Sequence, residues 1–289
     1  VTTPQEWVAG ARPRTLPAAA APVLVGTGAA AELGDAHVGR ALLALGVALA
    51  LQVGVNYAND YSDGVRGTDV DRVGPMRLTA SGAARPSAVR NAAFAAFGVA
   101  AVLGLVLVAL SGTWWLIAVG AVSILAAWGY TGGRNPYGYR GLGEVGVFVF
   151  FGLVAVLGTT YTQALRISWV AVVGAVAVGL LACALLMVNN IRDIPTDVVS
   201  GKRTLAVRLG DHRARRVFAA LVVVPVLLGI VCAFANPWAL IVAVLLLPAV
   251  LLSVPVVVGA HGRALVPVLA GTGMLELAFG LLLGVGLAV

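Results

Sequence analysis

The sequence predicts an all-α integral membrane protein, a bundle of nine transmembrane helices. Three observations carry that class. Of 289 residues, 60% are hydrophobic and only 11% are charged, where a soluble domain carries about 25% charge. Apolar runs of roughly 20 residues recur along the whole chain, each long enough to cross a hydrocarbon core of about 30 Å as a helix. Irregular or open-edged backbone cannot face lipid, so helices are the economical way across.

The first run, 16–32, follows a polar start, VTTPQEW. That start lacks the charged region and small-residue cleavage site of a secretory leader, so the run reads as a retained span. Further spans are expected at 39–60, 87–110, 113–130, 142–160, 169–191, 214–234, 238–259 and 265–288. With the N-terminus cytoplasmic, 17 of the 19 basic residues lie on the inner side and only Arg40 and Arg166 lie outside, as the positive-inside rule requires. The net charge of +7 then needs no nucleic-acid partner. Cys183 and Cys232 sit in apolar runs, and the three histidines have no ligand spacing, which argues against disulfide or zinc chemistry. Glu276 is the one acid deep within a predicted span. Such a residue is functional by default, or else a neutral group hydrogen-bonded between helices.

The whole chain, 1–289, reads as one domain with an internal repeat, its halves near 1–140 and 141–289. Asn59, Asp63 and Asp69 follow the second span; Asn189, Asp193 and Asp197 follow the sixth. Asn59 to Asp63 and Asn189 to Asp193 share the spacing N-x-x-x-D, and the two copies are 130 residues apart. Residues four apart share a helix face, so each pair presents oxygens at the cytoplasmic mouth of the bundle. Pro195 is expected to unwind the second motif and let Asp197 swing in.

Carboxylate and amide oxygens without sulfur or imidazole suit a hard cation such as Mg²⁺, with Mn²⁺ a possible substitute. Mg²⁺ keeps waters and is usually shared with phosphate. Arg66, Arg72 and Arg77 beside the first cluster, and Lys202 and Arg203 beside the second, would supply further countercharge. Four carboxylates with a diphosphate near −3, set against two Mg²⁺, leave about −3 for those cations. The expected site is therefore a metal–diphosphate site where lipid meets cytosol.

At these residues the sequence resembles a known family. NDYSD with a downstream aspartate, and DIPTD followed by SGKRTLAVRLG, are similar to the two Asp-rich motifs of UbiA-type membrane prenyltransferases. ARPRTLPAAAAPVLVGTGAA, NDYSDGVRGTDVDRVGPMRLTASG and YTGGRNPYGYRGLGEVGVFVFFG look most like the branch acting on 1,4-dihydroxy-2-naphthoate in menaquinone synthesis. The likeness covers nearly the whole chain. It implies a bacterial plasma-membrane enzyme with its site on the cytoplasmic side. Such an enzyme joins a polyprenyl diphosphate to 1,4-dihydroxy-2-naphthoate, with loss of diphosphate and carbon dioxide, to give demethylmenaquinone. Asn59, Asp63 and Asp69 match the first metal motif, except that five residues rather than three separate the two aspartates. Asp193 and Asp197 match the second, with Asn189 before them. The family's Y-x-x-x-K stands here as Tyr130 to Arg134, and an arginine there would hold phosphate in bidentate fashion.

The resemblance suggests roles for other residues. Tyr130 is the first choice to steady an allylic cation, ahead of Tyr57, Tyr61, Phe148 and Phe151. Asp60, on a different side of the helix from Asp63, is a candidate either to support the site from behind or to be the base for a naphthol proton, with a solvated carboxylate as the alternative. Arg12 and Arg14 are candidates for the acceptor's carboxylate, although topology alone also accounts for them. Glu144 is a candidate substrate contact, or simply an acid at a helix N-terminus. Another aromatic acceptor, such as 4-hydroxybenzoate, stays open within the superfamily. From other classes, a cation-coupled transporter fits duplicated halves, but its site would lie near the membrane midplane. A phosphatidyl transferase would need an Ala-Arg that DYSDGVRGT lacks.

Overall fold

The computed structural model describes residues 2–67 and 76–289, and every element among them is a helix. Asp69 and Arg72 lie outside the described residues. The first half comprises α1 (Pro4–Ala11), α2 (Pro17–Glu32), α3 (Val38–Arg66), α4 (Pro86–Ser111) and α5 (Leu116–Gly129). Next, α6 (Gly143–Val147) runs through a π-helical stretch (Phe148–Val154) into α7 (Ala155–Ala164). The chain ends with α8 (Trp169–Val199), α9 (Leu205–Leu209), α10 (Asp211–Val231), α11 (Leu246–Val258) and α12 (Val266–Ala288). Thr3 caps α1 in a reciprocal box with Glu6, whose carboxylate accepts from the Thr3 N–H at 2.7 Å.

Among the described residues, seven helical runs are long and apolar enough to cross a membrane. Of the nine expected spans, the two left over are α2 and α5, at 16 and 14 residues, short of the ~20 that a straight crossing takes. The seven runs match the remaining expected spans, with one extension of consequence. The sixth expected span, 169–191, continues as unbroken helix to Val199. Pro195 lies inside α8 and does not unwind it, which corrects the sequence expectation. Proline removes one N–H from the ladder, and neighbouring helices make that loss tolerable in a membrane bundle. Asn189, Asp193 and Asp197 therefore stay in register, one helical turn apart, on a single face.

α8 is the central post. Val178, Leu181, Met187 and Val188 on its buried face join Phe218 and Val222 of α10 and Phe279 and Leu283 of α12 in one core. α2 and α12 pack backbone to backbone. A Cβ on Gly28 would fall 2.3 Å from the Gly284 carbonyl oxygen, and one on Gly280 would fall 2.7 Å from the Ala21 Cα. Lipid tails compete equally for apolar side chains, so close approach through small residues is what holds such helix pairs. In the first half α3 packs along α4, and α5 packs on both. Tyr57, Leu78, Val89 and Phe97 fill the core at the motif end of α3. Between α3–α5 on one side and α7, α8 and α12 on the other lies a large cavity, with the two motifs at its polar end.

Candidate active site

Four polar residues of α3, Gln52, Asn56, Asn59 and Asp63, follow one another at helical spacing and all line this cavity of about 1290 Å³. Asn189, Asp193 and Asp197 line it from α8. The two remote motifs thus share one chamber. On α3 the lining extends from Asp63 back to Ala44, roughly 28 Å at 1.5 Å per residue. That depth approaches the thickness of a bilayer core. Beyond the polar end the walls are apolar, with Leu107, Leu116, Ile117 and Val154 among them.

Asp63 is 5% exposed and is met by groups from three other stretches of chain. The Tyr139 hydroxyl donates to its Oδ1. Lys202 Nζ lies 3.5 Å from the same oxygen, and Arg77 Nη2 lies 3.7 Å from Oδ2. Asn59 Oδ1, one turn earlier, accepts from the Thr131 hydroxyl at 2.7 Å. On α8 a neighbour on the same helix takes part. Arg192 Nε and Nη2 grip the two oxygens of Asp193 at 2.7 and 2.8 Å, and Nη2 also donates to Asn189 Oδ1 at 2.8 Å. Asp197 is buried with its carboxylate on the cavity wall, and its carbonyl accepts from the Lys202 N–H at 2.9 Å. That bond orients Lys202 towards Asp63 in the other half.

Of the roles the sequence suggested for Asp60, the geometry fits support of the site from behind. It is fully buried and outside the cavity lining, and its two oxygens accept from the Leu78 and Thr79 N–H groups, each at 2.8 Å. A carboxylate so engaged is not placed to take a proton from a substrate. It fixes the turn that delivers Arg77, itself 8% exposed, to the chamber.

Three basic residues do not reach the cavity. Arg66 is exposed; its guanidinium donates to the Thr131 and Gly133 carbonyls and lies 5.3 Å from the Tyr139 ring centre. Arg134 is exposed and outside the cavity lining, next to Gly133 with its φ of +76°. Arg203 is exposed as well, and its N–H donates to the Tyr139 carbonyl at 2.9 Å. Arg192 and Arg263, which the sequence suggested only as topology markers, do line the cavity, together with Arg12, Arg14, Arg77 and Lys202. Six cations against Asp63, Asp193 and Asp197 give the described wall an excess of three positive charges. Such a chamber attracts an anion.

Arg12 and Arg14 belong to a connection latched to α3. The Thr15 hydroxyl accepts from Gln52 Nε2 at 3.0 Å and from Asn56 Nδ2 at 2.9 Å, and donates to the Arg12 carbonyl. Glu144 is buried outside the cavity lining, and its Oε1 accepts from Asn190 Nδ2 at 3.0 Å. Its link to the chamber therefore runs through Asn190, which lines it. Glu276 is fully buried on α12, and neither of its carboxylate oxygens has a hydrogen-bond partner among the described residues. Of the aromatic candidates, Tyr130 and Phe151 face the cavity. Tyr57 instead donates to the Trp7 carbonyl, and Tyr61 stacks on Trp128. Tyr130 meets Tyr137 edge-on at 5.5 Å, and burial pushes the Tyr137 phenol up to about 12.

The donor set fits Mg²⁺. Three carboxylates and two amides supply only oxygen, with no soft ligand beside them. Among the described residues no three acidic, histidine or cysteine side chains converge tightly enough to cage a metal alone. Mg²⁺ ordinarily completes its shell with water and with the oxygens of an anionic guest.

Residues 19–265 match the model of the UbiA prenyltransferase family. The chain belongs to that family. A 1,4-dihydroxy-2-naphthoate octaprenyltransferase of Mycobacterium tuberculosis is 56% identical over 98% of this chain and 97% of its own length. Its Mycobacterium leprae counterpart is 55% identical over 93% and 91%. In three dimensions the chain resembles a UbiA homolog from Archaeoglobus fulgidus bound to GPP and Mg²⁺, with a TM-score of 0.68 at 14% identity over 98% and 99% of the two chains.

Proposed function

We propose that this UbiA-family chain transfers a polyprenyl group from polyprenyl diphosphate to 1,4-dihydroxy-2-naphthoate. The by-products are diphosphate and carbon dioxide, and the ring leaves at the hydroquinone level of demethylmenaquinone. One observation carries the reading: two N-x-x-x-D faces from opposite halves share a basic chamber that continues into apolar space as deep as a bilayer core. The names of the mycobacterial relatives support the acceptor and an octaprenyl-length donor. The Archaeoglobus homolog, bound to GPP and Mg²⁺, supports a diphosphate and a metal at the polar end.

In this reading nine spans leave the N-terminus and the polar end on the cytoplasmic side. Asn59, Asp63, Asn189, Asp193 and Asp197 would hold two Mg²⁺, with Mn²⁺ a workable replacement, and Asp69 would join them. When bound, the metal supplies charge neutralisation to the departing diphosphate. Arg77, Arg192 and Lys202 hold the phosphate oxygens, where charge builds as the allylic C–O bond breaks. The prenyl tail runs along the apolar walls. Tyr130, beside the polar end, offers a ring face to the allylic cation, and the apolar lining keeps water from it. Arg12 and Arg14, latched by Thr15, Gln52 and Asn56, hold the acceptor's carboxylate. The electron-rich ring attacks, and loss of that carboxylate as carbon dioxide restores aromaticity.

The test is purified protein in detergent with octaprenyl diphosphate, Mg²⁺ and either 1,4-dihydroxy-2-naphthoate or 4-hydroxybenzoate. Prenylated naphthoate product, abolished by chelator and formed without any ion gradient, is expected. Product from 4-hydroxybenzoate alone would overturn the acceptor, and no diphosphate release from any prenyl donor would overturn the activity.

A further inference from the structure

We propose that Arg40 and Gln163 form the end stop of the chamber. The space just inside it, beside Gly158, takes the distal isoprene units of the donor, so these residues set donor length. This rests on the prenyl transfer proposed above and adds a length determinant far from both Asp-rich motifs.

At the end away from the motifs, the described lining of the chamber stops at Ala44 on α3, Val108 on α4 and Thr162 on α7. Arg40, one of the two basic residues expected on the outer side, stands one helical turn before Ala44. Its guanidinium donates to the Leu110 carbonyl at 2.8 Å and to the Thr162 and Gln163 carbonyls at 3.0 and 3.3 Å. Those carbonyls belong to the last turns of α4 and α7, where a helix has no partner of its own for them. Gln163 is 2% exposed and ties in two further elements. Its Oε1 accepts from the His37 N–H at the start of α3 at 3.0 Å, and its Nε2 donates to Thr27 Oγ1 of α2 at 3.1 Å. Four helices are thus drawn together across the far end. Hydrocarbon pushed past this point would strip hydrogen bonds from a guanidinium, an amide and helix carbonyls, which is costly away from water. The stop is chemical as well as steric. Just inside it the wall is bare: Gly158 lines the chamber one turn before Thr162, and a Cβ there would meet nothing within 4 Å. The Thr162 hydroxyl is turned back onto the Gly158 carbonyl at 2.9 Å. The fold therefore keeps open space where a long tail would end.

The test measures kcat/KM for geranyl, octaprenyl and decaprenyl diphosphate with 1,4-dihydroxy-2-naphthoate and Mg²⁺, on the full-length detergent-solubilised protein. Gly158→Leu fills the far end. The octaprenyl-to-geranyl ratio should fall at least about 10-fold, the scale of a one-methylene misfit in an apolar pocket, while geranyl transfer holds. Equal changes for the two donors, or none, overturn the placement of the tail and leave prenyl transfer standing. Arg40→Met keeps the stem and removes the stop, so the decaprenyl-to-octaprenyl ratio should rise. A uniform loss for all donors, or an unchanged ratio, overturns the stop. If Arg40→Met does not fold, Arg40→Lys, which keeps a cation with fewer bonds, carries the same comparison. A wild type that transfers from no prenyl donor overturns the underlying reading and this one with it.

Discussion

Asp63 and Asp193 hold the same place in their two motifs, yet the chain neutralises them differently. Among the described residues, Asp63 draws Tyr139, Lys202 and Arg77 from three remote stretches. Asp193 is gripped by Arg192, its own neighbour on α8. Among the described residues, the partners of the first site come from tertiary folding, whereas Arg192 lies on the same helix as the carboxylate it holds. A carboxylate with several partners tolerates the loss of one. Losing a bidentate arginine removes two short charge-assisted bonds from a buried carboxylate at once, which costs more than losing one of several longer contacts.

The largest effect should leave the two sites alike. Asp63→Asn and Asp193→Asn should each lower magnesium-dependent turnover by about 1,000-fold, as removal of a group stabilising transition-state charge does, while both proteins still insert. Wild-type rates in either variant would remove that residue from the site.

Stability should then separate them. Without metal, Arg192→Met is expected to cost about 3–5 kcal/mol, the range for breaking a buried pair. Lys202→Met should cost about 1 kcal/mol, because Tyr139 and Arg77 stay on Asp63. Thermal unfolding in detergent compares the two, and equal losses would erase the distinction between an assembled site and a local one.

Asp60→Asn probes how the first site is assembled. It weakens two charge-assisted bonds to the turn carrying Arg77, costing about 2 kcal/mol, and should weaken magnesium diphosphate binding while Asp63 remains. If binding is unchanged, Arg77 needs no such support. The smallest effect is Arg134→Ala. Its exposed side chain lies outside the chamber, so prenyl diphosphate titrations should stay within about twofold of wild type, as for surface substitutions generally. A larger loss would bring Arg134 back to the phosphates.

The motifs themselves were legible because four-residue spacing on a helix is a local property. Gln52 and Asn56 carried a readable signal too, since polar residues three and seven positions before Asn59 extend its face through an apolar run. Arg192 adjoins Asp193 in NNIRD, but a basic residue at a span end also satisfies the topology rule, so its pairing was masked. Tyr139 gave no signal, because its partners are 76 and 63 residues away in sequence. For Arg134 the spacing from Tyr130 fits a phosphate ligand, yet its side chain is exposed and outside the cavity lining, and exposure is set by packing that local spacing does not carry.

By itself the sequence determined what repeats along the chain: apolar runs of membrane length, the basic bias of their connections, and two oxygen-rich helix faces. Each depends only on near neighbours and on the solvent they meet. Tertiary structure alone decided which cations face which carboxylate, that α8 passes unbroken through Pro195, and that Asp60 supports a turn instead of facing the chamber. Those outcomes depend on helices closing around a common space, and the distances that fix an electrostatic partner exist only once they have closed.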